Sequence, residues 1–518
     1  MELDQVAWWV AVVSSMIVLV RLGCARFAGG WGWAAVCALV LVVATFGSFA
    51  VPDQAGLIAG AVWLILLVAP LRLVQLSGLR VIQQRFAAAR LYAGLARLLH
   101  PFDGLWLTPA LIDALALGHQ GRTAEAADVL TRLQDDPRAS RRMVLVIRAQ
   151  LARLAWDWAA IPPLAEAVGT AGGLLPASLR LRALGETGRL HDLVAAFQAV
   201  PHAADSEYQL CLLFLFAFCG RRRAVAELLG GPLAALDPDT RQFWLATAEL
   251  AGTGPDGMAQ LTALASSDRP IRHVARRRLD TPLARPEMLD ATERRVIDEA
   301  EAAMHRDAGF RDVSFAHWRR YSVVLALIVL NLAGFAAEEL AGGSDSAHVL
   351  YRLGALWPSA VTQGEWWRLA AASFLHAGPV HLAVNMLALA VIGPWVEWTA
   401  GHWRFALIYV ASGIGSMTVV QVLMRNGFVT EGLLVGASGA ILGVVGAQIL
   451  LLLEGFRRFG SRLAARRLAV MGLVIGVQVV FDLTTPQVSF TAHASGFVIG
   501  FGVTALLVAA PHAPQARA

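Results

Sequence analysis

The chain has 518 residues, of which 57% are apolar and only 16% charged, and its formal net charge is +5. Soluble domains carry nearer a quarter of charged residues, so this balance excludes an ordinary soluble globular protein and points to the membrane. The positive excess is carried by arginine, and in a membrane chain such an excess sets topology rather than binding nucleic acid.

Three apolar runs open the sequence, around Val6–Val20, Trp31–Ala50 and Ala55–Leu71. Each is close to the roughly 20 residues that cross a hydrocarbon core. The first follows an acidic start and is succeeded by further runs, so no cleavable signal peptide is expected. From about residue 77 to 317 the chain becomes rich in Arg, Asp, Glu and Ala, with apolar residues at helical spacing. Within it, the run from Cys211 to Cys219 is apolar but too short to span, which predicts a buried core helix. Similar stretches recur around Gly121, Gly188 and Gly220, with the spacing of a roughly 34-residue repeat and one degenerate copy in between. Helix, glycine turn and second helix at that period resemble tetratricopeptide-type arrays, whose concave face suits a protein partner. Cys24, Cys37, Cys211 and Cys219 show no metal-ligand spacing and read as buried thiols. His100, His119, His191, His202, His273 and His305 form no ligand pattern. The basic stretches Arg221–Arg223 and Arg276–Arg278 read as solvated or headgroup-facing surface.

Six more spans are expected around Tyr321–Ala337, Leu382–Trp398, Phe405–Met424, Gly436–Leu453, Leu468–Phe481 and Ser489–Ala509. The arginines test this count independently. Arg21 and Arg26 follow the first span, and Arg72, Arg80, Arg85 and Arg90 follow the third. Arg319 and Arg320 precede the fourth, and Arg457, Arg458, Arg462, Arg466 and Arg467 follow the seventh. Nine alternating spans from an outside N-terminus put every cluster in the cytoplasm. The expected fold is therefore an all-α polytopic membrane protein: three transmembrane helices over 1–76, a cytoplasmic helical domain over 77–317, a six-helix membrane core over 318–510 and a short cytoplasmic tail over 511–518.

Polar residues inside a membrane are costly and mark functional candidates. "GASGAILG", Gly436–Gly443, opens the seventh span with Ser438 between small residues. "AHASGFVIG", Ala492–Gly500, puts His493 about one turn into the ninth. "HAGPVHLAVN" leads into the fifth with His376, His381 and Asn385, the last two stacked four residues apart on one helical face. By the topology above, all three lie at the non-cytoplasmic end of their helices. Each residue alone is read as readily as packing. Their common depth suits hydrolysis, with Ser438 as nucleophile and His493 as general base. Asn385, the Ser438 backbone N–H and His381 would stabilise the oxyanion.

These motifs resemble the rhomboid family of intramembrane serine proteases, over roughly 318–510. Trp367 and Arg368 match its Trp-Arg pair, and Glu397 its later glutamate. His381 and Asn385 match its His-x-x-x-Asn, and Gly436, Ser438 and Gly439 its nucleophile motif. Ala492, His493, Gly496 and Gly500 match the helix whose glycines pack the base against the serine helix. The resemblance implies a Ser–His dyad without an acidic third member, no metal or organic cofactor, and single-span membrane proteins as substrates. Asp482 is accordingly read as an interface residue. One position departs: Leu442 stands where members often carry an aromatic residue stacked on the histidine. A catalytically silent relative that binds membrane clients is the alternative, and the joint presence of Ser438, His493, His381 and Asn385 argues against it. A transporter would need mid-membrane charges or broken paired helices. The Ala/Arg-rich composition suggests a bacterial plasma membrane, and the helical domain a docking surface for a partner protein.

Overall fold

The structure, a computed structural model, describes residues 3–24, 30–168, 177–202, 206–254, 256–310, 321–430, 432–485 and 488–508. The expected tail 511–518, the boundary near 318, and Arg26, Arg319 and Arg320 lie outside the described residues. The described secondary structure is helical, with one isolated antiparallel bridge between Leu356 and Leu434.

Nine of the described helices are long and apolar enough to cross a membrane. They are α1 (Leu3–Cys24), α2 (Trp31–Ala50), α3 (Ala55–Ile82), α4 (Ser322–Leu340) and α5 (Pro379–Ala400), then α6 (His402–Arg425), α7 (Ser438–Phe459), α8 (Arg462–Thr484) and α9 (Phe490–Val508). Each expected span has its helix. α3 runs beyond the expected Leu71, through a π-helical turn at Leu64–Val68. Pro70 follows that turn; it has no N–H to give to the ladder, and the wider turn accommodates it.

The described residues form two compact units, one of Ala7–Ala302 and one that includes Ala303 onward. In the first, short helices pair into hairpins. The turns hold one left-handed residue each, at Gly121, Trp156, Gly188, Gly220 and Thr253, spaced 32–35 residues apart. In each, the N–H after the left-handed residue donates to a carbonyl five positions back: Arg122 to Leu117, Asp157 to Ala152, Arg189 to Leu184, Arg221 to Phe216 and Gly254 to Glu249, at 2.8–2.9 Å. That bond closes the preceding helix in a Schellman-type stop. The degenerate copy is thus the Trp156 hairpin, and Thr253 adds a further one.

The helix Ser206–Phe218 is the buried core element expected, with Cys211, Leu213, Leu215 and Phe216 fully enclosed. Cys37, Cys211 and Cys219 are buried free thiols. The expectation of a solvated basic surface fails at Arg278, which is fully buried. Its guanidinium pairs with Glu186 at 2.7–2.8 Å and lies near the Phe218 and Phe243 rings. A paired arginine can be buried; an unpaired one cannot cheaply be. Glu186→Ala is therefore expected to destabilise this unit by about 3–5 kcal/mol, read from urea unfolding followed by tryptophan fluorescence.

In the second unit, α7 is the central helix: 72% of its apolar window is buried, against 11% for α8. Small residues set its neighbours. A Cβ added at Gly496 or Gly500 of α9 would fall onto the carbonyl oxygens of Gly439 or Gly443 of α7, and one at Gly446 of α7 onto that of Phe497. The two backbones therefore touch, as small residues permit in a membrane. Both carboxylate oxygens of Glu397, on α5, accept the otherwise free first N–H groups of α4, Val323 at 3.1 Å and Val324 at 2.9 Å. Gly500→Val is expected to lower the stability of the core by about 1–3 kcal/mol or more, measured by unfolding in mixed micelles.

Candidate active site

The chain reaches Ser438 by a strained approach. Gly436 adopts φ +133°, open to glycine but rarely to other residues, and its N–H donates to the Ala372 carbonyl at 2.9 Å. A Cβ at Gly436 would lie 2.9 Å from Cε1 and 3.0 Å from Nε2 of His381, and 3.7 Å from Oγ of Ser438. The His381 ring and the Ser438 hydroxyl therefore flank the same bare glycine. Ser438 is the first residue of α7 and half-buried. Its N–H belongs to the first turn, where backbone donors have no partner within the helix.

His493 sits in the first turn of α9, 7% exposed, with its N–H on the Ser489 carbonyl at 3.1 Å. A Cβ at Gly439 would meet the Ala492 carbonyl oxygen at 3.4 Å, so the residue after Ser438 abuts the residue before His493. Among the described residues the His493 ring is hydrogen-bonded to Asp482 and not to Oγ of Ser438. In hydrolases such bonds often tighten only with substrate in place.

Asn385 lies 5% exposed on α5, and its Nδ2 has no hydrogen-bond partner among the described residues. It is a donor held ready in a dry setting. His376 is fully buried, its ring centroid 5.3 Å from that of His381, and its N–H donates to Glu338 at 2.7 Å. Glu397 sits away from this cluster, as the cap of α4 and partner of His402 at 2.5 Å. Arg368 is buried and ties the preceding loop, donating to the carbonyls of Tyr351 at 2.6 Å and Ala355 at 3.1 Å and pairing with Glu365 at 2.5 Å. Trp367 is half exposed beside it, 4.9 Å from the guanidinium. Gly496 and Gly500 are the α9 contacts already described. Leu442 is half-buried one turn into α7.

One residue departs from its sequence reading. Asp482, expected at the interface, is buried, and its Oδ2 lies 2.8 Å from Nδ1 of His493. Its other oxygen accepts from Gln478 at 2.7 Å. The signal was a carboxylate two residues before the end of α8 and a histidine one turn into α9, with few residues between the two helices. Among the described residues no group of His, Cys, Asp and Glu could hold a metal ion.

Residues 363–510 match the family model described as "Rhomboid domain". The C-terminal part of the chain is thus similar to rhomboid domains. Over 166 residues, 32% of this chain and 52% of the relative, it is 34% identical to RHOMBOID-like protein 5 of Arabidopsis thaliana. Over 180 residues, 35% of this chain and 34% of the relative, it is 35% identical to Rhomboid protease GluP of Bacillus subtilis. It is 27% identical to Rhomboid-like protease 1 of Toxoplasma gondii over 198 residues, 38% of this chain and 66% of that protein. The match thus spans about half of the first relative's length and a third of the second's. With nine apolar helices and a C-terminal part similar to rhomboid domains, this is a multi-pass membrane protein. Arg368→Ala frees two carbonyls of the preceding loop, that of Ala355 buried and that of Tyr351 partly so, and is expected to cost about 1–3 kcal/mol. Arg368→Lys should recover only part of it, since an ammonium lacks the planar fork; thermal unfolding in detergent reads both.

Proposed function

We propose that the protein is an intramembrane serine endopeptidase that cuts single-span membrane proteins near the outer interface, with Ser438 as nucleophile and His493 as general base. What supports this most is the meeting of the first turns of α7 and α9 through Gly439 and Ala492, with the His381 ring and the Ser438 hydroxyl flanking Gly436. Oγ of Ser438 bonds to the scissile carbonyl carbon as its proton passes to Nε2 of His493. The oxyanion is met by the Ser438 N–H, Nδ2 of Asn385 and His381. The C–N bond then breaks, the amine leaves with the proton, and water hydrolyses the acyl-serine by the same route. A helical substrate hides its carbonyls in its own hydrogen bonds, so it must unwind locally before attack. The arginine clusters favour an N-terminus outside and the hairpin region inside.

The test is cleavage of a model single-span substrate by purified protein. Wild type should cut; Ser438→Ala and His493→Ala should be inert while remaining folded. Asn385→Ala should lower kcat about 10²–10³-fold, the effect of losing one oxyanion donor. A wild type inert across several substrates and lipids would favour the client-binding scaffold instead.

A further inference from the structure

We propose that Asp482 is a positioning residue for the general base, making the site a Ser438–His493–Asp482 relay with Gln478 behind it. The inference rests on the protease reading above. The geometry is that of a carboxylate holding an imidazole: Oδ2 of Asp482 stands 2.8 Å from Nδ1 of His493, with side chains only 2% and 9% exposed. A carboxylate accepts only, so Nδ1 carries the proton and Nε2 is left with its lone pair. That is the tautomer a serine's base requires, and fixing it is the role of the third member in Ser–His–Asp sites. Once the ring takes the serine's proton, the same carboxylate faces the imidazolium at hydrogen-bond distance. Gln478 donates Nε2 to Oδ1 at 2.7 Å, one turn back along α8, and fixes the carboxylate plane.

Two observations set this apart from a structural ion pair. Asp482 lies in the last turn of α8, where negative charge opposes the helix dipole, so it does not serve its own helix. The other acid of α7–α9, Glu454, pairs with Arg458 as a surface i,i+4 contact, whereas Asp482 bonds to the histidine and to an amide and to no arginine.

The experiment combines a spectrum with kinetics on the full-length protein in detergent. Imidazole ¹⁵N spectra, with the His493 signal assigned by its loss in His493→Ala, should show an Nδ1–H tautomer that Asp482→Asn weakens. With the model single-span substrate, Asp482→Asn should lower kcat on the order of 10²-fold or more while KM changes less than about twofold. Asp482→Glu should recover part of the loss, and Gln478→Ala should cost about tenfold. An Nε2–H tautomer in a wild type that cleaves overturns the inference and leaves the protease reading standing. So does an Asp482→Asn enzyme that keeps kcat but melts earlier, which marks the pair as a clamp between helices. A wild type that cleaves nothing overturns the protease reading, and with it any catalytic role for the pair.

Discussion

The backbone contact between α7 and α9 is the constraint on which the rest of the core depends. Side chains normally hold two helices 8–10 Å apart. The carbonyls of Gly439 and Gly443 instead lie where side chains at Gly496 and Gly500 would be. That contact brings the first turn of one helix against the first turn of the other, and so a serine beside a histidine. It also spares the bilayer any gap between them, since in lipid the attraction between helices is packing and hydrogen bonding rather than the hydrophobic effect. The buried serines of α6 continue the pattern: Ser412 and Ser416 point at Gly443 and Gly439, filling the space those glycines leave.

Around this axis the other elements supply chemistry that neither helix could carry alone. α5 brings Asn385 and His381, and the loop before it is anchored by Arg368 through carbonyls at Tyr351 and Ala355. Glu397 satisfies the start of α4 with both oxygens, which accounts for a buried glutamate in an apolar setting. Several buried polar atoms here have no hydrogen-bond partner among the described residues, among them Nδ2 of Asn385, both ring nitrogens of His376, Oγ of Ser373 and Ser412, and Oε1 of Gln448.

Much of this was legible in the sequence. Nine spans followed from apolar runs of bilayer length. Ser438, His493, His381 and Asn385 stood out because polar groups are rare at membrane depth. What escaped had physical reasons. Asp482 looked like an interface residue because it sits near a helix end, and the pairing across to the next helix is a matter of geometry that spacing along one helix cannot express. The repeat was seen at Gly121, Gly188 and Gly220 because glycine advertises a left-handed turn; the copy at Trp156 was expected from the spacing alone, and the one at Thr253 was missed, because those side chains do not. Arg278 looked like surface because its partner, Glu186, lies far away in the chain.

The loose packing of α8 gives the Asp482 contact a further meaning. This helix is tied at its start, where Ser461 donates to Asp307 at 2.5 Å, and near its end through Asp482, while Gly472 and Gly476 between them face open space. α8 is thus the least enclosed of the long helices from Ser322 onward. Tilting α8 and turning the His493 ring are two halves of one linked equilibrium, because the hydrogen bond between them must stretch for either to move alone. The bilayer, acting on an exposed strut, is in this sense mechanically continuous with the orientation of a buried imidazole ring.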